Sequence, residues 1–272
     1  MEKRNVSKTA KIYTLIILVL LYLAIISFPL ILWIDEIYVK IIDMSLKIAF
    51  IGIVFFSIKR YELGSPKFLP DKNLKLSFLI PLVVITFSNW IYVWIFKFPI
   101  NSSINGGMFT LTVFGTLITV FCEELLFREI THNCFKEIVK QDYLRTLISA
   151  AIFSLLHFLN FFSGTNILLV LAQVGYTFVL GLILGLIKEK GAGLIALVSF
   201  HFLFNVLNND LFSVLYKGEW NTEFVVTNII IGAVVVSYGV LLYFLLKVKP
   251  SSLALVDDSE NQVNDASNKE EN

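Results

Sequence analysis

The chain has 272 residues, of which 57% are hydrophobic and only 16% charged, and its formal net charge at pH 7 is +1. With a mean hydropathy of +0.78, that balance excludes an ordinary water-soluble domain and fits an integral membrane protein. No basic run is long enough to follow a phosphate backbone, so nothing points to nucleic acid as a partner.

In chain order, the N-terminus carries Lys3, Arg4, Lys8 and Lys11 before an apolar run. That run is too long for a signal-peptide core and lacks a small-residue cleavage site before Pro29, so it reads as a retained transmembrane helix. Hydropathy predicts about eight spans, near 12–34, 37–58, 77–96, 108–139, 143–162, 166–187, 193–209 and 224–246. The first half of 37–58 carries Lys40, Asp43 and Lys47 at near-helical spacing and can form an interfacial amphipathic helix. The 108–139 stretch is too long for one perpendicular crossing and should tilt or extend beyond the bilayer. Gly181 and Gly185 form a small-xxx-small pair suited to close helix packing. Trp90, Tyr92, Trp94 and Tyr176 fit either interfacial or packing positions.

Lys and Arg alternate between connections: rich in the N-terminal segment, in 59–75, 136–145 and 188–190, and after 247. The intervening connections are poor in them, a pattern that places both termini in the cytoplasm. The expected fold is therefore all-α, a polytopic membrane helix bundle. Residues 1–107 form N-terminal membrane helices, 108–209 a core, 210–247 a last transmembrane helix and 248–272 a disordered cytoplasmic tail. The chain ends Lys269-Glu270-Glu271-Asn272, which is no prenylation box. No internal repeat is evident, which disfavours a carrier built from duplicated halves.

Three polar clusters interrupt the apolar stretches: Glu123-Glu124 with Arg128, Phe153 with His157, and His201 with Asn205. A charged side chain at the centre of a bilayer helix costs roughly 2.5–3.5 kcal/mol on insertion scales, so such groups face an interior and usually do chemistry or transport. On an α-helix Glu124 and Arg128 share a face and can pair. Glu123 is turned by about 100° from Glu124, leaving it free to face a cavity as a general base of raised basicity. Phe153 lies one turn from His157 and can wall its imidazole. His201 and Asn205 share a face, so two donors can converge on one developing oxyanion. His132, near the end of the same span as Arg128, reads as interfacial or capping.

Measured from the expected cytoplasmic ends, Glu123, His157 and His201 lie about 24, 21 and 12 Å along their helices, near enough to converge. An HExxH pattern is absent. Glu123, His157 and His201 could bind zinc as a His₂Glu set with one open position, or activate water with no metal. Cys122 and Cys134 belong to no C-x-x-C pair and lie roughly 18 Å apart along one helix, so they read as packing residues rather than as a disulfide.

The three clusters, in this order, resemble the motifs of the CPBP family, the CAAX-protease and bacteriocin-processing (Abi) intramembrane proteases: Glu-Glu-x-x-x-Arg, Phe-x-x-x-His and His-x-x-x-Asn. The resemblance covers about 108–209 and extends to the type II CAAX prenyl endopeptidases. It implies that Glu123 and His157 activate water, that His201 and Asn205 hold the oxyanion, and that Glu124, Arg128 and Phe153 support the site. It further implies a multi-pass cell-membrane endopeptidase needing no cofactor, acting on a membrane protein or peptide. A non-catalytic binding or bacteriocin-immunity protein on the same fold is the alternative.

Overall fold

The computed structural model describes residues 6–28, 34–71, 86–87, 90, 94, 106–136, 138–210 and 237. Apart from isolated positions, the expected spans 77–96 and 224–246 and the tail 248–272 lie outside the described residues. Among the described residues every regular element is helical. Five stretches are long and apolar enough to cross a membrane: Lys8–Ser27, Glu36–Tyr61, Gly106–Phe135, Asp142–Phe162 and Ile167–Glu189. The chain is a multi-pass membrane protein. The expected span at 193–209 is a shorter apolar helix than these five.

Helix α1 (Lys8–Ser27) starts at Ser7, whose hydroxyl accepts from the backbone N–H of Ala10. Helix α2 (Glu36–Tyr61) has Glu36 in its first turn and Lys59 and Arg60 in its last, which complements the helix dipole. It ends on Glu62 in the left-handed region, at φ 52°. Its first half carries the charged stripe seen in the sequence. The helix is unbroken, and its polar stripe turns toward the next helix, where Lys40 donates to Thr112 (2.7 Å) and Lys47 to Thr119 (2.9 Å). Hydropathy alone cannot distinguish a neighbouring polar helix from water.

Helix α3 (Gly106–Glu123) runs into a π-helical segment (Glu124–Thr131) and a last α turn, α4 (His132–Phe135). This continuous rod accounts for the over-long 108–139 stretch. All eight residues of the π segment are buried, charged ones included, so neighbours surround it on every side. The wider i→i+5 spacing also needs side-chain help with its carbonyls. The Thr131 hydroxyl donates to the Leu126 carbonyl (2.9 Å), and the Ser149 hydroxyl to that of Phe127 (2.6 Å). An apolar core from α1, α2 and the rod, joined by Leu194 and Val198, packs around Tyr22, Phe50, Phe127 and Phe153.

Helix α5 (Asp142–Leu155) tightens into a 3₁₀ turn (Leu156–Phe158) before the short α6 (Leu159–Phe162). Helix α7 (Ile167–Glu189) packs closely on α5, as its small residues predict. A Cβ at Gly181 would meet Ala150 at 3.1 Å, and one at Gly185 would overlap the Thr146 methyl at 2.6 Å. Helix α8 (Leu194–Asn205) continues into a π turn (Val206–Asp210). Trp90 donates to the Leu207 carbonyl of that turn, whereas Trp94 is 81% exposed. Tyr176 packs its ring on Phe204.

The extended segment after α2 crosses the start of α8. Leu194 N–H donates to the Lys67 carbonyl, Ile195 N–H to Phe68, and Asp71 N–H to Gly191. Gly193 lies against the Phe68 and Leu69 backbone, with no room for a Cβ, and Gly191 has φ +99°. This fixes α8 two turns before His201.

Gly185→Val forces branched carbons into the Thr146 contact, and overpacking of this kind costs roughly 1–3 kcal/mol. A lower midpoint in detergent thermal unfolding is expected. Gly175→Ala, where a Cβ meets nothing within 4 Å among the described residues, should leave it unchanged or slightly raised.

Candidate active site

The Glu124 carboxylate is completely buried, and so is the Arg128 guanidinium below it. Arg128 Nε lies 3.4 Å from Glu124 Oε2, making the i, i+4 pair expected from the sequence. The other carboxylate oxygen, Oε1, is 2.7 Å from His201 Nδ1. An unpaired carboxylate at this depth would cost several kcal/mol, and a guanidinium on one side and an imidazole N–H on the other offset that cost.

His201 is itself 3% exposed and is held from both ends. With Nδ1 donating to Glu124, its Nε2 faces Glu123 Oε2 at 3.8 Å. The two adjacent carboxylates therefore straddle one imidazole. Glu123 is the less buried of the pair, its side chain 14% exposed against 0% for Glu124. It sits at the junction where α3 becomes the π segment. Its second partner is Tyr22 on α1, whose hydroxyl donates to Oε1 at 3.1 Å. Nothing in the apolar run around Tyr22 marks that contribution.

Phe153 joins the clusters. Its ring meets His157 edge-on at 5.1 Å between centroids and His201 edge-on at 5.7 Å, and the Arg128 guanidinium lies 4.3 Å from its centroid. The cation–π contact gives the buried guanidinium an electrostatic partner that carries no charge. Gly181 makes the space, since a Cβ there would stand 3.3 Å from Arg128 Nη2.

His157 lies in the 3₁₀ turn that ends α5, half-buried, with Nδ1 3.3 Å from the Phe153 carbonyl. A carbonyl only accepts, so this contact assigns the proton to Nδ1 and leaves the lone pair on Nε2. The Glu123 carboxylate acts on His157 through space. Asn205 follows His201 by one turn, is half-buried, and enters none of the side-chain hydrogen bonds among the described residues.

The predicted residues Glu123, Glu124, Arg128, Phe153, His157 and His201 thus meet in one place, with Asn205 one turn away. His132 does not fit its interfacial reading. It is 2% exposed and paired with Glu189, which also takes Arg145. Beside it Glu129, 1% exposed, pairs with Lys188 and accepts from the Lys67 backbone N–H. This second polar cluster lies where basic residues gather, at the end their pattern assigns to the cytoplasm. Cys122 and Cys134 are buried thiols not joined in a disulfide.

Residues 105–207 match the Rce1-like family, the type II CAAX prenyl endopeptidases. The match bears out the resemblance drawn from the motifs, and the Rce1-like segment contains every residue named for the site except Tyr22. The match supports a CAAX-type intramembrane protease fold for this segment, and with it protease activity. No curated protein and no solved structure shows significant similarity to the chain. As for zinc, no three His, Cys, Asp or Glu side chains among the described residues stand close enough together to share a metal ion. His201 Nδ1 is committed to Glu124. The residues do not fit a His₂Glu set in this arrangement.

Arg128→Leu would strand the Glu124 carboxylate, and breaking a buried pair on one side costs roughly 3–5 kcal/mol. Unfolding should shift accordingly, and adding Glu124→Gln to Arg128→Leu should recover part of the loss. Simple additivity in that double-mutant cycle would show that the pair is not coupled.

Proposed function

We propose that the protein is an intramembrane endopeptidase that hydrolyses a peptide bond of a membrane-associated protein or peptide. Glu123 and His157 activate water; His201 and Asn205 hold the oxyanion. The observation that carries this reading is the imidazole of His201 held between a fully buried carboxylate and a less buried one.

The chemistry follows from which atoms are already committed. Glu124 fixes the His201 ring through Nδ1–H, and the oxyanion role asks Nε2 to carry a proton as well, as a donor beside Glu123. Asn205, one turn on, supplies a neutral amide donor toward the same space. On His157 the free Nε2 lone pair accepts from a water proton and orients the oxygen. Glu123 takes the other proton as the water oxygen bonds to the substrate carbonyl carbon. The carbonyl electron pair moves onto its oxygen, where His201 and Asn205 stabilise it. Collapse re-forms the carbonyl and breaks the C–N bond, and Glu123 returns its proton to the leaving amine. Atoms and charge balance with water as the sole co-reactant, and no cofactor is required.

Tyr22 restrains one oxygen of Glu123 and leaves the other for the water. Phe153, Arg128 and Glu124 touch no reacting atom in this scheme; they position His157 and His201. The substrate is drawn from the membrane by the apolar helices around the site, and the natural setting is the cell membrane.

The test is cleavage of a labelled membrane-peptide library by the purified protein in proteoliposomes. Glu123→Gln and His157→Ala should each lower kcat/KM by about 10²–10⁴, the range for lost general acid–base catalysis. Asn205→Ala should cost about 10²–10³, as for one oxyanion donor. Thermal unfolding of all three should stay close to the parent, and a chelator should leave cleavage intact. Parent-level cleavage by both Glu123→Gln and His157→Ala would sink the assignment. Peptide binding without cleavage, unchanged in both variants, would favour the binding or immunity role.

A further inference from the structure

The α2–α3 seam contains charged groups that the proposed reaction does not use. Lys40, Asp43 and Lys47 lie on one face of α2, inside a stretch long and apolar enough to span a membrane. Helix α2 also lies outside the segment matched to the Rce1-like family. Charged groups at such depth are retained where they face an interior or a water-filled cavity.

The facing stripe on α3 is hydroxylated. Thr112, Thr116, Thr119 and Glu123 are spaced by four, three and four residues, which puts all of them on one side of the helix. Thr112 and Thr119 donate to carbonyls of their own helix, at Met108 and Gly115. Their oxygens accept from Lys40 and Lys47. Lys47 is 7% exposed and closes a 2.6 Å ion pair with Asp43.

Between the two stripes is a cavity of about 180 Å³, lined by Lys40, Asp43, Thr112, Gly115, Thr116 and Thr119 among others. It has room for several waters and more than the two to four polar partners that each needs. Its inner end comes close to the site. Thr119 is one turn, about 6 Å, from Glu123 along the helix. The Cys122 thiol, beside Glu123 in the chain, lies 3.5 Å from the Lys47 carbonyl. Tyr22 and its hydrogen bond to Glu123 stand at the end of this line.

We propose that the seam between α2 and α3 is a water-binding channel that supplies the attacking water to Glu123 from the end of the bundle opposite the basic cluster. This rests on the hydrolytic reading above for its purpose, though not for its existence. Lys40 and Glu36 open the path near the end of α2, where Glu36 is largely exposed. The Asp43–Lys47 pair and the threonines carry it inward over about 10 Å. Gly115 keeps the passage open, because among the described residues its missing side chain faces only Met44, at 3.7 Å from an added Cβ. Hydrolysis consumes one water per turnover, and an apolar bundle would otherwise keep that water out.

Two measurements test it. In proteoliposomes, Thr116→Cys should react with a membrane-impermeant charged thiol reagent. Phe114→Cys at similar depth, pointing away from the seam and 56% exposed among the described residues, should not. The parent serves as the blank, because both native cysteines are buried. Equal reactivity at the two positions, or none at Thr116→Cys, overturns the channel whether or not the protein cleaves peptides. Gly115→Leu, which fills the cavity, should lower kcat several-fold with KM unchanged, while Phe114→Leu should retain parent kinetics. Thermal unfolding should match the parent for both. Unchanged kcat in a folded Gly115→Leu refutes the supply role even if the seam is wet. A labelled Thr116→Cys in a protein that cleaves nothing refutes the hydrolytic reading instead.

Discussion

The Glu124 carboxylate sets the terms for the rest of this structure. It has no exposure at all, and at that depth an anion persists only if counter-charges or donors reach it. Arg128 meets it from one turn along the same rod; His201 meets it from α8. The guanidinium then needs a compatible lining, which the Phe153 ring of α5 and the clearance at Gly181 of α7 provide. One buried charge thus ties four membrane segments together, and by holding His201 Nδ1 it also decides which way that imidazole points.

The π segment matters for the same reason. Its eight residues are buried on all sides, so charged groups on it must be satisfied in every direction. Glu124 and Arg128 face each other toward the middle of the bundle, while Glu129, five residues from Glu124, pairs with Lys188 at the basic end. The Lys67 backbone reaches the same Glu129 from the segment that pins the start of α8. His201 is therefore held from two directions, by Glu124 directly and through the anchored beginning of its own helix.

The sequence revealed some of this and hid the rest, for physical reasons. Relations within one helix follow from rotation per residue, so the Glu124–Arg128 pair, the Phe153–His157 contact and the Gly181–Gly185 packing face could all be read in advance. Relations between helices could not. Rotation by about 100° separates Glu123 from Glu124, yet both reach one imidazole because it lies between their directions. Tyr22 carries no signal in an apolar span. Lys40, Asp43 and Lys47 were visible as an amphipathic stripe, but periodicity cannot say whether a stripe faces water, lipid headgroups or threonines. His132 looked interfacial from its place near a span end, because its partner Glu189 is 57 residues further on.

The hydrogen bond from Tyr22 to Glu123 joins residues 101 apart in the chain, and only one of them lies in the Rce1-like segment. During synthesis α1 enters the bilayer long before the rod exists, carrying a phenol hydroxyl with no carboxylate to meet. The site is completed only when later helices dock against a helix already in place. A half-built chain in the membrane consequently holds the pieces of the buried cluster without the cluster itself, and its long-range contacts form only as assembly nears its end.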